Sequence, residues 1–357
     1  MRSPGRSRPP RRRSASRPPE VVPEPAESVD AQKEGEYVSG DTVIHVIDDV
    51  RQIRRDFYCK HSLLLGNMRY FESCLAGVSP DDEVEIAVHC DIKVFEWLAE
   101  YMEGKRQVSS LEAKDIVSIL ISSDFLQMQQ LVDECLKAMH DCLADILPLP
   151  LDLGCIPDRL VASLAGLFKP DELEVLEDPR DRLHSRLWAH QLHQLLSRSE
   201  NVLHRCPRCY RIFTESERLR NACPKAAARG LQPSGQQLPL ILQHATDVTW
   251  DVGVFLHQLW VQLGRSWAKL FWKVWARLQH FHCNTCNTDF CGLEILNCRH
   301  HAREPENGMV YPCCGAGATA SGPNSGCCVK EHSASLLADD HLAMERLLRR
   351  RGWILDG

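Results

Sequence analysis

The sequence predicts an α+β chain: a small mixed sheet with helices packed on it, a helical segment, and a C-terminal lobe organised by cysteine and histidine. Three observations carry this. Between positions 42 and 90, Thr42–Ile47 alternates and is β-branched, Val84–Cys90 sets Val84, Ile86 and Val88 on one face, and Gln52–Cys59 follows the Asp48-Asp49 turn to close a hairpin, as half-buried strands do. Around and after them, up to about position 140, apolar residues recur every three or four positions, the period of a helix buried on one face. Between Phe281 and His332 stand eight of the 17 cysteines and four of the 16 histidines.

Composition narrows the class. The 357 residues suffice for two modest domains with tails. A net charge of −6 argues against binding polyanions by bulk electrostatics. The first 20 residues are Arg-, Pro- and Ser-rich and hold no apolar signal segment. The chain is therefore expected in the nucleus or cytoplasm and not secreted, where clustered cysteines more often bind metal than form disulfides. No uncharged run is long enough to cross a bilayer; the nearest, Val252–Leu278, carries Arg265, Lys269, Lys273 and Arg277.

Residues 1–39 read as a disordered tail, basic and then acidic. Seven arginines stand between Arg2 and Arg17, and Glu20, Glu24, Glu27, Asp30, Glu34 and Glu36 follow. Neither half has enough apolar surface to offset chain entropy. Residues 40–145 read as one domain. Strands are expected at Thr42–Ile47, Gln52–Cys59 and Val84–Cys90. A helix is expected over Ser62–Leu75, with Leu64, Met68, Phe71 and Leu75 inward. Asp91 is placed to cap the next helix, whose inner face is Ile92, Phe95, Leu98, Ala99 and Met102. Ala113–Ser122 and Leu126–His140 complete the helices.

This order, carried by FYCKHSLLLGNMRYFESCL, VEIAVHCDIKVFEWLAEYM and IVSILISSDFLQMQQLVDECL, resembles the BTB/POZ domain. The resemblance implies a protein-interaction module: a homodimer, and docking onto cullin scaffolds or corepressor proteins. Many dimeric BTB domains exchange an extra helix and strand ahead of the core; low-complexity sequence occupies that place here.

Residues 146–200 read as a helical linker, with helices around Leu160–Leu167 and over Leu183–Leu196. His184, His190 and His193 on the second have no cysteine or acidic partner at matching spacing and read as solvated. Residues 201–332 read as the Cys/His-rich lobe. Residues 224–237 are expected as a loop and Leu238–Thr246 as a strand. Asp251 is placed to cap one long helix reaching about Leu278, with Leu256, Trp260, Leu263, Trp267, Phe271, Val274 and Leu278 on one face. Residues 333–357 read as a C-terminal amphipathic helix, with Leu336, Leu337, Leu342, Met344, Leu347 and Leu348 inward.

The cysteines fall at metal-ligand spacings. Structural zinc takes four thiolate or imidazole ligands at tetrahedral corners, and a Cys-x-x-Cys turn supplies two of them. The simplest partition puts Cys283, Cys286, Cys298 and His301 on one ion and Cys313, Cys314, Cys327 and His332 on another. The second set and the Cys298-x2-His301 step resemble CHORD-type zinc modules, whose looser spacing leaves an interleaved pairing open. Cys206, Cys209 and Cys223 lack an obvious fourth ligand, for which Cys291, His204 or His282 are candidates. A zinc ribbon joining Cys206/Cys209 to Cys283/Cys286 is the other arrangement. Two or three structural Zn2+ ions are expected, with Cys328 the spare thiol. Sulfur-rich, fully occupied sites argue against catalysis, which needs an open position and a general base. The gap of nearly sixty residues after Cys223 argues against a RING.

The BTB-like core together with the RCPRC turn, the TDVTWDV junction, YPCC and the GC…H closure resembles the SANT and BTB domain regulator of class switch recombination family. The likeness runs from about Asp41 to His332. It implies homodimerisation and negative regulation of isotype switching by partner recruitment. The chain reads as a short relative, without a SANT-like segment ahead of the BTB core. The expected function is a non-enzymatic interaction protein. Its rivals are a cullin-dependent ubiquitin-ligase substrate adaptor and a nucleic-acid-binding zinc protein, the latter disfavoured by the net charge.

Overall fold

The structure, a computed structural model, describes residues 41–75, 85–220, 223–225, 228–231, 237–240, 243–305, 309–317, 326–333 and 338–355. The Arg-rich tail, Val84, Leu336 and Leu337 lie outside them.

The chain opens with strand β1 (Asp41–Asp48), which pairs antiparallel with β2 (Ile53–Lys60) and parallel with β3 (Glu85–His89), giving the order β2-β1-β3. Thr42, Ile44, Val46 and Asp48 alternate inward on β1. The buried Asp48 carboxylate is not wasted: it accepts the backbone N–H groups of Val50 and Arg51 and so closes the hairpin turn.

The predicted helix over Ser62–Leu75 is broken. Helix α1 (His61–Asn67) ends at Met68, whose φ/ψ of −117/88 leaves the helical region, and a 3-10 turn leads into α2 (Glu72–Leu75). Leu64, Met68, Phe71 and Leu75 are all buried nonetheless. The bend changes the chain's path without turning its apolar side outward. Helix α3 (Ile92–Met102) starts at Asp91, whose side chain accepts from Lys93 N and Val94 N. Helices α4 (Ala113–Phe125) and α5 (Gln129–Asp141) form an antiparallel pair, and α5 buries Leu131, Val132, Cys135, Leu136 and Met139.

Beyond a short α6 (Leu143–Ile146), helices α7 (Asp158–Leu167), α8 (Pro170–Glu174) and α9 (His184–Leu196) extend the same core. Leu160, Val161, Leu164 and Ala165 form the buried face of α7, and Leu167 is exposed. Arg182 donates to the carbonyls of Leu147, Leu149 and Leu151, satisfying backbone that prolines leave without helical partners.

Two short ribbons follow. Strands β4 (His204–Arg205) and β5 (Ile212–Phe213) lead to α10 (Glu215–Arg220). Strands β6 (Ala228–Leu231) and β7 (Gln237–Leu240) pair antiparallel, where the sequence suggests a loop and then a strand over Leu238–Thr246. The expected single helix from Asp251 to Leu278 is two helices, α11 (Val252–Gln262) and α12 (Trp267–Leu278). Gly264 and Arg265 both take positive φ, 67° and 61°, which no α-helix tolerates, and Ser266 recaps the chain through Lys269 N. The apolar stripe is therefore split. No residue of α11 is fully buried, whereas α12 buries Leu270, Phe271, Trp272 and Val274. Trp272 meets Trp188 of α9 edge to face at 6.2 Å. Of the α12 tryptophans, Trp272 is core, and Trp267 and Trp275 pack half-buried against it.

Strands β8 (His280–His282) and β9 (Asp289–Cys291) form a hairpin, and β10 (Cys298–His300) pairs antiparallel with β11 (Cys328–Lys330). The predicted C-terminal helix is α13 (Ala338–Arg349) with a separate last turn, α14 (Arg351–Leu355). Between them, Arg350 is 4 % exposed. Its guanidinium lies 3.7 Å over the Trp272 ring and pairs with Asp171 and Glu174. This contact ties the C-terminus to the helical segment around one continuous core.

Candidate metal centres

Among the described residues, three groups of four ligand atoms converge, each group lying within 4.8 Å. The first is Cys206, Cys209, Cys223 and His244; the second Cys283, Cys286, Cys298 and His332; the third His301, Cys313, Cys314 and Cys327.

The first two are built alike. In each, a Cys-x-x-Cys turn follows a short strand. Cys206 N donates to Arg211 O and Tyr210 N to Cys206 O; Cys283 N donates to Thr288 O and Asn287 N to Cys283 O. The residue after the second cysteine takes a left-handed φ, 61° at Tyr210 and 54° at Asn287. At the same spacing beyond the turn come Phe213 and Phe290, and then Glu217 and Glu294, which accept from the N–H groups of Thr214 and Cys291. The two knuckles are an internal repeat. They are joined by Glu217, whose carboxylate binds Arg277 of α12 at 2.9 Å and His280 of β8 at 2.9 Å.

The distances test the fit to zinc. Bonds of about 2.3 Å to sulfur and about 2.0–2.1 Å to nitrogen give tetrahedral edges of about 3.8 Å between two sulfurs and about 3.5 Å between sulfur and nitrogen. Cys206 and Cys223 sulfurs stand 3.8 Å apart, and Cys209 Sγ is 3.4 Å from His244 Nδ1. The corresponding values in the second centre are 3.7 Å for Cys283–Cys298 and 3.5 Å for Cys286–His332. In the third, His301 Nδ1 lies 3.5 Å from Cys313 Sγ and 3.4 Å from Cys314 Sγ, with Cys313 and Cys327 sulfurs at 3.5 Å. All three groups have the donor set and spacing of a Cys3His tetrahedron.

Each histidine presents Nδ1, and each ring is held by an aromatic face. His244 stacks on Phe213 with centroids 5.1 Å apart, His332 on Phe290 at 4.0 Å, and His301 on Tyr311 at 3.6 Å. Fixing the ring plane fixes where the nitrogen lone pair points, which is the role of supporting groups around a metal ligand. One thiol in each of the first two groups is prepared as thiolate, while burial and that thiolate push its neighbours Cys209 and Cys298 up. Burial pushes Cys283 upward, yet the N–H groups of Cys286, Thr285 and Ser333 and the His332 ring outweigh it and bring the thiol down to about 5. Cys206 reaches about 6 against the same burial, through the N–H groups of Cys209, Arg208 and Ala245 and the His244 ring. Thiolate is the ligating form.

The structure corrects the pairing expected from the sequence. His332, not His301, completes the group of Cys283, Cys286 and Cys298, and His301 joins Cys313, Cys314 and Cys327. The reason is the β10–β11 ribbon. Cys298 opposes Lys330 and His300 opposes Cys328, so Cys298 and His332 share one end while His301 and Cys327 share the other. The fourth member of the first group is His244, which ligand spacing alone does not find. The candidates named for it have other partners: His282 binds Asp289 and Asn287, His204 packs on Phe213, and Cys291 is buried beside Arg277. A signal is present in the sequence, since the repeat requires a histidine to close the first knuckle as His332 closes the second. The ribbon joining Cys206/Cys209 to Cys283/Cys286 does not form, because each turn has its own cysteine and histidine. Cys328 belongs to none of the three groups, although its sulfur is 3.7 Å from that of Cys327.

Residues 42–136 match the family model described as the SANT and BTB domain regulator of CSR, BTB domain. This segment is a BTB domain. Among solved structures the chain is similar to the BTB domain of zebrafish PATZ1, with 18% identity over 28% of this chain and 75% of that one and a TM-score of 0.23. The match ends within α5, and the three Cys/His groups all lie beyond it. The BTB family is one of protein-interaction modules. Among the described residues no helix is long and apolar enough to cross a membrane.

Proposed function

We propose that this chain is a non-enzymatic regulatory protein whose BTB domain self-associates or recruits a partner, and whose C-terminal lobe is a rigid platform held by three structural zinc ions. The observation that carries this is closure. Each Cys/His group supplies four donors at tetrahedral spacing, which leaves no position for a substrate or an activated water. In the proposal Cys206, Cys209, Cys223 and His244 hold one ion, Cys283, Cys286, Cys298 and His332 a second, and His301, Cys313, Cys314 and Cys327 a third. Zinc binding of this kind contributes directly to folding free energy, and the lobe needs it: its strands run only two to four residues.

The division proposed with it is a tail over 1–39, the BTB domain over 40–145, a helical linker over 146–200, the zinc lobe over 201–332 and C-terminal helices over 333–357. A homodimer through the BTB domain, an intracellular reducing location and a part in restraining class switch recombination belong to the same proposal, the last by way of the family whose BTB model matches. Light scattering of the purified full chain tests self-association. Twice the chain mass supports it. A monomer that also captures neither cullin nor corepressor from cells would leave the BTB domain without its proposed role.

A further inference from the structure

The three centres differ in how they meet solvent. In the first, Cys206, Cys223 and His244 are at most 4 % exposed; in the second, Cys283 and Cys298 are fully buried and His332 is 8 % exposed. In the third, Cys314 and Cys327 are both exposed, and neither His301 nor Cys313 is fully buried. Cys209 and Cys286 are half-buried, so of the three centres the third alone sets exposed sulfurs, Cys314 and Cys327, before an oxidant in solution. Cys313 and Cys327 stand 3.5 Å apart, slightly inside the edge expected of two sulfurs on one zinc. A bond between them joins residues well separated in sequence, whereas linking the neighbours Cys313 and Cys314, or Cys327 and Cys328, would close a strained eight-membered ring across a peptide bond.

The third centre also has a distinct mechanical place. The β10–β11 ribbon is held at one end by the second centre, through Cys298 and His332, and at the other by the third, through His301 and Cys327. Loss of the third ion would free that end. The second centre and the ribbon's backbone pairing would stay in place.

We propose that the third centre is an oxidation-releasable zinc site, a redox switch set into an otherwise permanently metallated lobe; this rests on reading the Cys/His groups as zinc centres. The oxidant is hydrogen peroxide. One exposed thiolate, that of Cys327, attacks a peroxide oxygen, forming a sulfenic acid and releasing hydroxide. The thiolate of Cys313 then attacks that sulfur and expels a second hydroxide. Two thiolates are oxidised to one disulfide and one peroxide is reduced. His301 and Cys314 alone remain as donors, and the ion leaves as hydrated Zn2+. A dithiol reductant and added zinc reverse the step.

The full chain, purified with zinc under reducing conditions and then freed of reductant, is counted by native mass spectrometry and treated with one equivalent of hydrogen peroxide. Released metal is followed with a chromophoric chelator, and disulfides are mapped after alkylation. The expected result is three ions before treatment and two after, with a Cys313–Cys327 disulfide and recovery of the third ion on reduction. Cys327→Ser should begin with two ions and release none. A count below three in the untreated chain overturns the reading of the third centre as a metal site and this inference with it. A count of three followed by joint loss of all ions, by loss of none, or by a disulfide within the buried centres overturns the inference alone.

Discussion

The thiol of Cys286 and Nδ1 of His332 stand 3.5 Å apart although 46 residues separate them. His301, far nearer in sequence, is turned to the other end of the ribbon. That exchange makes a prediction that any local pairing would get wrong. Cys286→Ala and His332→Ala should each remove the same ion, and the double variant should lose no more than either single one. His301→Ala should remove a different ion, so that combining it with His332→Ala costs two. Zinc counts on the five proteins decide between the pairings.

The approach of Cys327 to its group depends on Gly326. A Cβ at that position would fall 2.1 Å from the backbone nitrogen of His300 and 2.3 Å from its Cα. Backbone cannot move aside as a flexible side chain can. Gly326→Ala should therefore push the β11 end away from β10 and lose the third ion, while the first centre keeps its metal. Cadmium-113 NMR of the substituted protein, with one signal per centre, checks this.

Much of the BTB domain is legible in the sequence because its information is local. Period-two alternation marks β1, period-3.6 stripes mark α3 and α5, and Asp91 and Asp251 are readable as caps. The helix break at Met68 is hidden because Leu64, Met68, Phe71 and Leu75 keep helical spacing even though the chain bends. The break at Gly264–Arg265 is masked because the apolar stripe continues across it; the glycine is the signal. The cysteine ligands can be found from spacing. Their histidines cannot be assigned that way, because strand pairing and chain return, not separation in sequence, decide which ring reaches which thiols. His244 lies 21 residues beyond Cys223, and within the sequence only the internal repeat of the two knuckles points to it.

Glu217 couples the two knuckles, and its ionisation should be visible in stability. Burial works against its charge, but the His280 hydrogen bond and the Arg277 charge prevail and hold the carboxyl down at about 2. A folded-state value below the ordinary 4.5 stabilises the fold above about pH 4.5, and that stabilisation is lost as pH falls toward 2. Each tenfold gain in acidity on folding is worth about 1.4 kcal/mol, so Glu217→Gln should cost about 3 kcal/mol near neutral pH. The gap from the parent chain should narrow below about pH 4.5. Paired urea titrations across that range measure it. A gap independent of pH would show that the carboxylate charge is not what matters.

Arg350 is the second such joint. Its guanidinium is buried over Trp272 and paired with Glu174, at 2.9 Å from Nε, and with Asp171. Removing one partner of a buried ion pair costs about 3–5 kcal/mol. Arg350→Ala should lower the thermal midpoint and raise amide exchange in α13 and α14 together. Arg349→Ala, whose partner Glu345 is an exposed neighbour on the same helix, should change the midpoint by little, within about 0.5 kcal/mol.

If three four-ligand centres hold metal, the C-terminal lobe owes its fold to them, and removing the metal should unfold that lobe alone. Hydrogen exchange of the full chain, with zinc content measured on the same sample, reads both halves of that statement at once. Three zinc ions per chain are expected. On chelation, protection should be lost at β4, β5 and β8 to β11, while β1, β3 and α5 of the BTB domain and α12 in the shared core stay protected. A metal-free chain that keeps β8, β9, β10 and β11 protected would show that the lobe folds without its ions.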